Sequence, residues 1–105
     1  ISDLVKELVE DLIKGNFDKI VKKGRNGRLT KEEIMTALKD YGGKLSFPAL
    51  DDYNISNVIK INNSFEYSVE YDLWIDDEKS DLTISCTVII DENIMNISID
   101  DIHVM

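Results

Sequence analysis

The sequence has 105 residues, 43% hydrophobic and 31% charged, with a formal net charge of −9; this fits one globular domain over residues 1–105, with enough Ile, Val and Leu to bury a core. Apolar runs such as Val88-Ile89-Ile90 stop at three residues, far short of a membrane span, and Lys6, Glu7, Glu10 and Asp11 interrupt the N-terminal stretch a signal peptide would need. Residues 1–50 carry ten Lys/Arg against eight Asp/Glu, a net of +2, whereas residues 51–105 carry two against thirteen, a net of −11, a field that repels nucleic acid and steers basic partners.

The first helix is expected over residues 2–14. Leu4, Val5, Leu8, Val9, Leu12 and Ile13 keep one face apolar at a 3.6-residue period, with Ser2 as N-cap and Gly15 as the stop. A short helical turn with Phe17, Ile20 and Val21 follows and ends at Gly24. The basic stretch Lys22-Lys23-Gly24-Arg25-Asn26-Gly27-Arg28 lacks the spacing of a nucleotide-cradling loop and reads as a solvated inter-helix turn. Thr30 and Glu33 form a capping box for a helix over residues 30–42, with Leu29 and Ile34 at the staple positions. Ile34, Met35, Leu38 and Tyr41 are its expected buried stripe, and Gly42-Gly43 closes it. Ser46-Phe47-Pro48 then leads an extended crossing toward a sheet.

From Tyr53 the period changes to two. Ile55–Ile61 reads as a strand ended by the turn pair Asn62-Asn63. Phe65, Tyr67, Val69, Tyr71, Leu73 and Ile75 alternate with polar residues over a strand near 65–76, one face on a core and one in water. A polar turn is expected from Asp76 to Ser80. The next strand, near 81–91, has Leu82, Ile84, Cys86, Val88 and Ile90 inside and Thr83, Ser85 and Thr87 outside. Cys86 is thus expected to be a buried, inert thiol, and one cysteine with no disulfide partner fits a reducing cytoplasm. In the last strand, 94–104, Met95, Ile97 and Ile99 share one parity and Ile102 and Val104 the other. A β-bulge near Asp100-Asp101 would return all five to the core. The expected fold is α+β: two or three N-terminal helices on one face of a four-stranded antiparallel meander.

Catalytic chemistry has few carriers. His103 is the only imidazole, and alternation sets it on the same strand face as Asp101, the arrangement of a charge-orienting pair. No matching nucleophile stands out, so no catalytic residue is assigned. Asp76-Asp77-Glu78 with Asp81, or Asp91-Glu92-Asn93, offers carboxylates for a hard cation, but without the Gly and terminal Glu of a Ca²⁺ loop they read as solvated turns. One Cys and one His are too few for zinc, and neither metal nor cofactor is expected.

The outer sheet face carries the better signal. Glu66, Glu70, Asp72 and Asp76 share a strand face with Trp74, and Thr83, Ser85 and Thr87 are expected across from them. A Trp framed by carboxylates suits docking of a basic surface; the alternative is that Trp74 packs against a loop or the C-terminal segment. With the adjoining turn, the candidate partner-binding set is Glu66, Glu70, Asp72, Trp74, Asp76, Asp77 and Asp81.

Tyr71-Asp72-Leu73-Trp74, Lys79-Ser80-Asp81-Leu82 and Asp101-Ile102-His103-Val104 together resemble a family of small bacterial domains with N-terminal helices and an Asp-Leu-Trp…Ser-Asp-Leu hairpin. The likeness covers about the last 40 residues. By type, an acidic single domain of this size also resembles the immunity proteins of contact-dependent growth inhibition and polymorphic toxin systems. That resemblance implies a non-enzymatic, cytoplasmic inhibitor whose partner is a cognate basic toxin domain, often a nuclease, with no direct contact to nucleic acid or membrane. Two other classes remain open: a small-ligand-binding or enzymatic domain of cone-like α+β shape, and an accessory oligomerisation domain using its last strand as an edge.

Overall fold

A computed structural model describes residues 1–55, 57–61 and 65–104. Three helices, α1 (Ser2–Lys14), α2 (Phe17–Lys22) and α3 (Lys31–Tyr41), precede the strands β1 (Leu45–Ser46), β2 (Asn57–Lys60), β3 (Glu66–Ile75), β4 (Glu78–Ile90) and β5 (Met95–Val104). All described pairings are antiparallel, in the order β1-β3-β4-β5, with β2 also paired to β3. The α+β architecture agrees with the sequence, but the sheet has five strands rather than four. The extra one, β1, is two residues long and shares an edge of β3 with β2. Asn62-Asn63, the expected turn pair, lies outside the described residues.

The helices start and stop largely where their sequence signals sit. Gly15 ends α1 in the left-handed conformation (φ 73°) that a residue with a Cβ adopts at a cost. Ile1, not Ser2, is the N-cap of α1, and no side chain caps it. At α3 the capping box is complete: the Glu33 backbone N–H donates to Thr30 Oγ1 at 3.1 Å, and the Thr30 N–H donates to Glu33 Oε1 at 3.0 Å.

The core joins one stripe of α1 to the inner sheet face. Val5, Leu8, Val9, Leu12, Ile20 and Ile34 meet Val69, Tyr71, Leu73, Ile84, Cys86, Val88, Ile97 and Ile99 there, all almost wholly buried. Tyr67 and Leu38, expected in this set, are half-buried at its margin. Met35 is exposed, because α3 turns only its Ile34–Leu38–Tyr41 side inward. The parity slip of the last strand has its expected cause: Ser85 pairs with Asp101 and Cys86 with Ile99, leaving Asp100 as the extra residue. The bulge returns Ile102 to the inner face, but Met95 and Val104, at the two ends of β5, stay exposed.

Three further features depart from the sequence reading. The polar turn shrinks to Asp76-Asp77, both at positive φ, a two-residue type I′ connection, so β4 begins at Glu78. The segment between β1 and β2 folds back to bury Tyr53, whose ring stacks on Tyr71 at 6.2 Å while the Tyr71 hydroxyl donates to the Asp52 carbonyl at 2.9 Å. The basic turn is not simply solvated. Arg25 is buried and donates to Glu7 Oε1 at 2.9 Å, its carbonyl accepts the Ile99 N–H at 2.8 Å, and a Cβ on Gly27 (φ 58°) would overlap the Ile99 carbonyl oxygen.

Candidate functional site

Because the core occupies the inner face, the even-numbered residues of β3 and their cross-strand partners form the opposite, outer face. Register brings Glu70 beside Ser85 and Asn57, Asp72 beside Thr83, and Ser68 beside Thr87. Across β4, Ser85 meets Asp101, Thr83 meets His103 and Thr87 meets Ser98. A central row of hydroxyls thus separates carboxylates on β3 from carboxylates on β5, with the two acidic rows about 10 Å apart by strand spacing.

Each hydroxyl in that row donates to a neighbouring acid. Thr83 Oγ1 reaches Asp72 Oδ1 at 2.7 Å, Thr87 Oγ1 reaches Asp100 Oδ2 at 2.7 Å, and Ser85 Oγ reaches Glu70 Oε2 at 3.4 Å. Asn57 Nδ2 donates to the other Glu70 oxygen at 3.3 Å. These bonds fix the direction of the carboxylates while their charge faces outward. Thr83 itself is wholly buried beneath the side chains around it.

His103 occupies the gap between the acidic rows. Its Nδ1 lies 3.2 Å from Asp101 Oδ2 and its Nε2 lies 3.7 Å from Glu70 Oε2. The Asp101–His103 pairing anticipated from alternation is therefore present. However, carboxylates face both ring nitrogens, and the Thr83 and Ser85 hydroxyls point to Asp72 and Glu70 rather than to the imidazole. Cys86, on the inner side, has its thiol pushed up to about 12 by burial, with Asp100 adding to the shift, so it is not a nucleophile at neutral pH. Among the described residues, no group of three or more His, Cys, Asp or Glu side chains converges to hold a metal ion, and no helix is long and apolar enough to cross a membrane.

Of the seven candidate binding residues, Glu70 and Asp72 lie together in this network, with Lys79 Nζ 3.9 Å from Asp72 Oδ2. Glu66 is exposed farther along β3, opposite Ile89. Trp74 keeps their parity but is half-buried, packs on the rim of the core and pairs with Ser46 and Lys79. It is an edge anchor rather than a free-standing ring. The other three serve structure as well as charge. Asp76 Oδ1 accepts the Lys44 N–H at 2.9 Å, and the Asp77 N–H donates to Ser46 Oγ at 2.8 Å, which ties the turn to β1. Asp81 is drawn toward α3, where it accepts the Tyr41 hydroxyl at 2.5 Å and raises the Tyr41 pKa. Asp100, Asp101 and Asn57 complete the face and were not in the candidate set. The parity slip at Asp100-Asp101 was the available signal, since it places two acids side by side on the bulge.

Residues 9–105 match a family described as "Domain of unknown function (DUF7668)". No curated protein and no solved structure matches the chain.

Proposed function

We propose that this chain, which belongs to the DUF7668 family, is a non-enzymatic inhibitor of the immunity type that docks a basic toxin domain on its outer sheet face. One observation carries the reading: among the described residues the core packs the helices against one side of the sheet, and the other side presents Glu70, Asp72, Asp100 and Asp101 on hydroxyl-braced strands. Carboxylates held in place lose little conformational freedom when a partner arrives, and their summed field accelerates its approach. For a nuclease partner, these acids would occupy the cationic surface that otherwise grips phosphates, and inhibition would be by occlusion.

The test is protection in cells that co-express the chain with a toxin domain encoded beside its gene, followed by binding kinetics on the pair. Charge reversal at Glu70 and Asp72 is expected to lower the on-rate, and rising salt to lower it for the unaltered chain. Trp74→Ala is expected to speed dissociation, at a cost of about 2 kcal/mol if Trp74 is an anchor; circular dichroism checks that the variant folds. Unchanged kinetics in every variant would exclude this face, and failure to protect against any such toxin would end the inhibitor reading.

The other two classes draw less support. A cavity of about 470 Å³ lies between the end of α1 and the β3–β4 turn, lined by Ile13, Lys14, Phe47 and their neighbours. Its Asp76 and Ser46 side chains are already engaged with backbone. For oligomerisation through β5, the Ile99 N–H on that edge is already bound by Arg25.

A further inference from the structure

We infer that the groove between α3 and β5 receives an apolar side chain from a Lys- or Arg-rich segment of the docked protein; the inference rests on the docking reading above. The groove encloses about 390 Å³. Its floor is apolar, made by Leu29, Ala37 and Ile102, and its rim carries Glu32, Glu33 and Asp101. α3 buries only Ile34 fully, and its short Thr36 and Ala37 side chains line the groove together with Ile102.

Two properties select the occupant. Glu32 and Asp101 flank the apolar floor, and Glu33 adds its charge although its Oε1 also accepts the Thr30 N–H of the capping box, so the matching ligand presents cations on either side of an apolar group. The nearby Lys31 does not offset the rim, because its ammonium is held on Asp18 at 2.9 Å. The same acids disfavour an anionic lipid surface or a nucleic acid. The groove is also continuous with the outer face: Asp101 belongs to its rim and also faces His103 in the acidic network. A basic segment crossing the β5 edge therefore meets both surfaces, the network by charge and the groove by burial.

Two synthetic peptides of equal length and charge test this, one of lysine and glycine only and the other with a single central leucine, titrated into ¹⁵N-labelled protein at low salt. The leucine peptide is expected to bind roughly tenfold more tightly, as burial of one aliphatic side chain implies, with shifts at Leu29, Ala37 and Ile102 that the lysine–glycine peptide does not give. Ala37→Phe should fill the groove and abolish the advantage of leucine while leaving lysine–glycine binding unchanged. Glu32→Lys, at an exposed position that does not threaten folding, should weaken the leucine peptide through the rim charge. Equal affinities, or leucine-dependent shifts elsewhere, would overturn the groove inference, and binding confined to Glu70 and Asp72 would leave the docking face standing. No binding of either peptide would overturn both.

Discussion

The two faces of the sheet are made by the same strands, yet different physics organises them. Inside, Val69, Tyr71, Leu73, Ile84, Cys86, Val88, Ile97 and Ile99 are almost wholly buried, and of their side chains Tyr71 adds a hydrogen bond, to the Asp52 carbonyl, so shape and volume largely decide what fits. Outside, few residues are fully buried; Glu70, Asp72, Thr83, Thr87 and Asp100 are ordered by cross-strand hydrogen bonds, and His103 sits 3.7 Å from Glu70. The hydroxyl row on β4 lets two acidic strands flank a third without placing their charges directly opposite each other, which would destabilise the pair. Polar order on an open face is thus built by pairing rather than by packing.

The sharpest way to break this contrast is to truncate Leu73, which is fully buried. Leu73→Ala is expected to lower stability by about 2–5 kcal/mol in urea unfolding; a loss near zero would mean that the inside and outside have been exchanged. Next is the seam where the basic turn meets β5. Gly27→Ala puts a side chain at positive φ against the Ile99 carbonyl and should cost about 1–3 kcal/mol, with the amide of Ile99 losing protection from hydrogen exchange. On the outer face, Thr83→Val keeps the shape and removes the donor to Asp72. A loss of about 1–2 kcal/mol is expected, whereas a merely solvated face would change by less than about 0.5 kcal/mol.

The smallest effect lies away from the sheet. Lys23 and Arg25 both donate to Glu7 and hold its carboxyl below the usual 4.5. A depressed folded pKa contributes stability above the unfolded value, and that stability is lost as pH falls through the folded one. Glu7→Gln should therefore be less stable than the parent at pH 7, by less than about 1 kcal/mol for a carboxylate this exposed. The two denaturation curves should converge as pH drops below 4.5; a constant gap would mean that packing rather than charge sets the difference.

The elements with a clean period were legible from the sequence. The alternation of residues 67–75 and the 3.6-residue stripe from Leu4 to Leu12 each describe one element meeting one core, whereas Phe65, expected inside, precedes β3 and is exposed; the parity slip at Asp100 marked the bulge. What stayed hidden depends on segments far apart in the chain. Arg25 sits in a stretch that reads as solvent-facing, and only the approach of Glu7 and β5 buries it. Tyr53 opens the stretch read as period two but lies ahead of β2, and Tyr71 draws it in. Trp74 has the right parity for an exposed ring, but β1, too short to register as a strand, closes over its side. Of the candidate site, Glu70 and Asp72 were visible because alternation names a face. The bonds that Asp76 and Asp81 make to the Lys44 N–H and the Tyr41 hydroxyl, and that the Asp77 N–H makes to Ser46, were not legible, because composition shows a charge without showing what the residue holds.

The turn that docks on Ile99 also bears on how the molecule keeps to itself. A strand at the rim of a sheet is a template on which other chains can polymerise, and natural sheets guard such rims with bulges, charge or cover. Here all three coincide within a few residues: Asp100 bulges, Asp100 and Asp101 repel an incoming acidic copy, and the Arg25 carbonyl already satisfies the Ile99 N–H. A chain built this way can reach high concentration without seeding fibres along that edge, while the carboxylates of the outer face stay exposed to solvent.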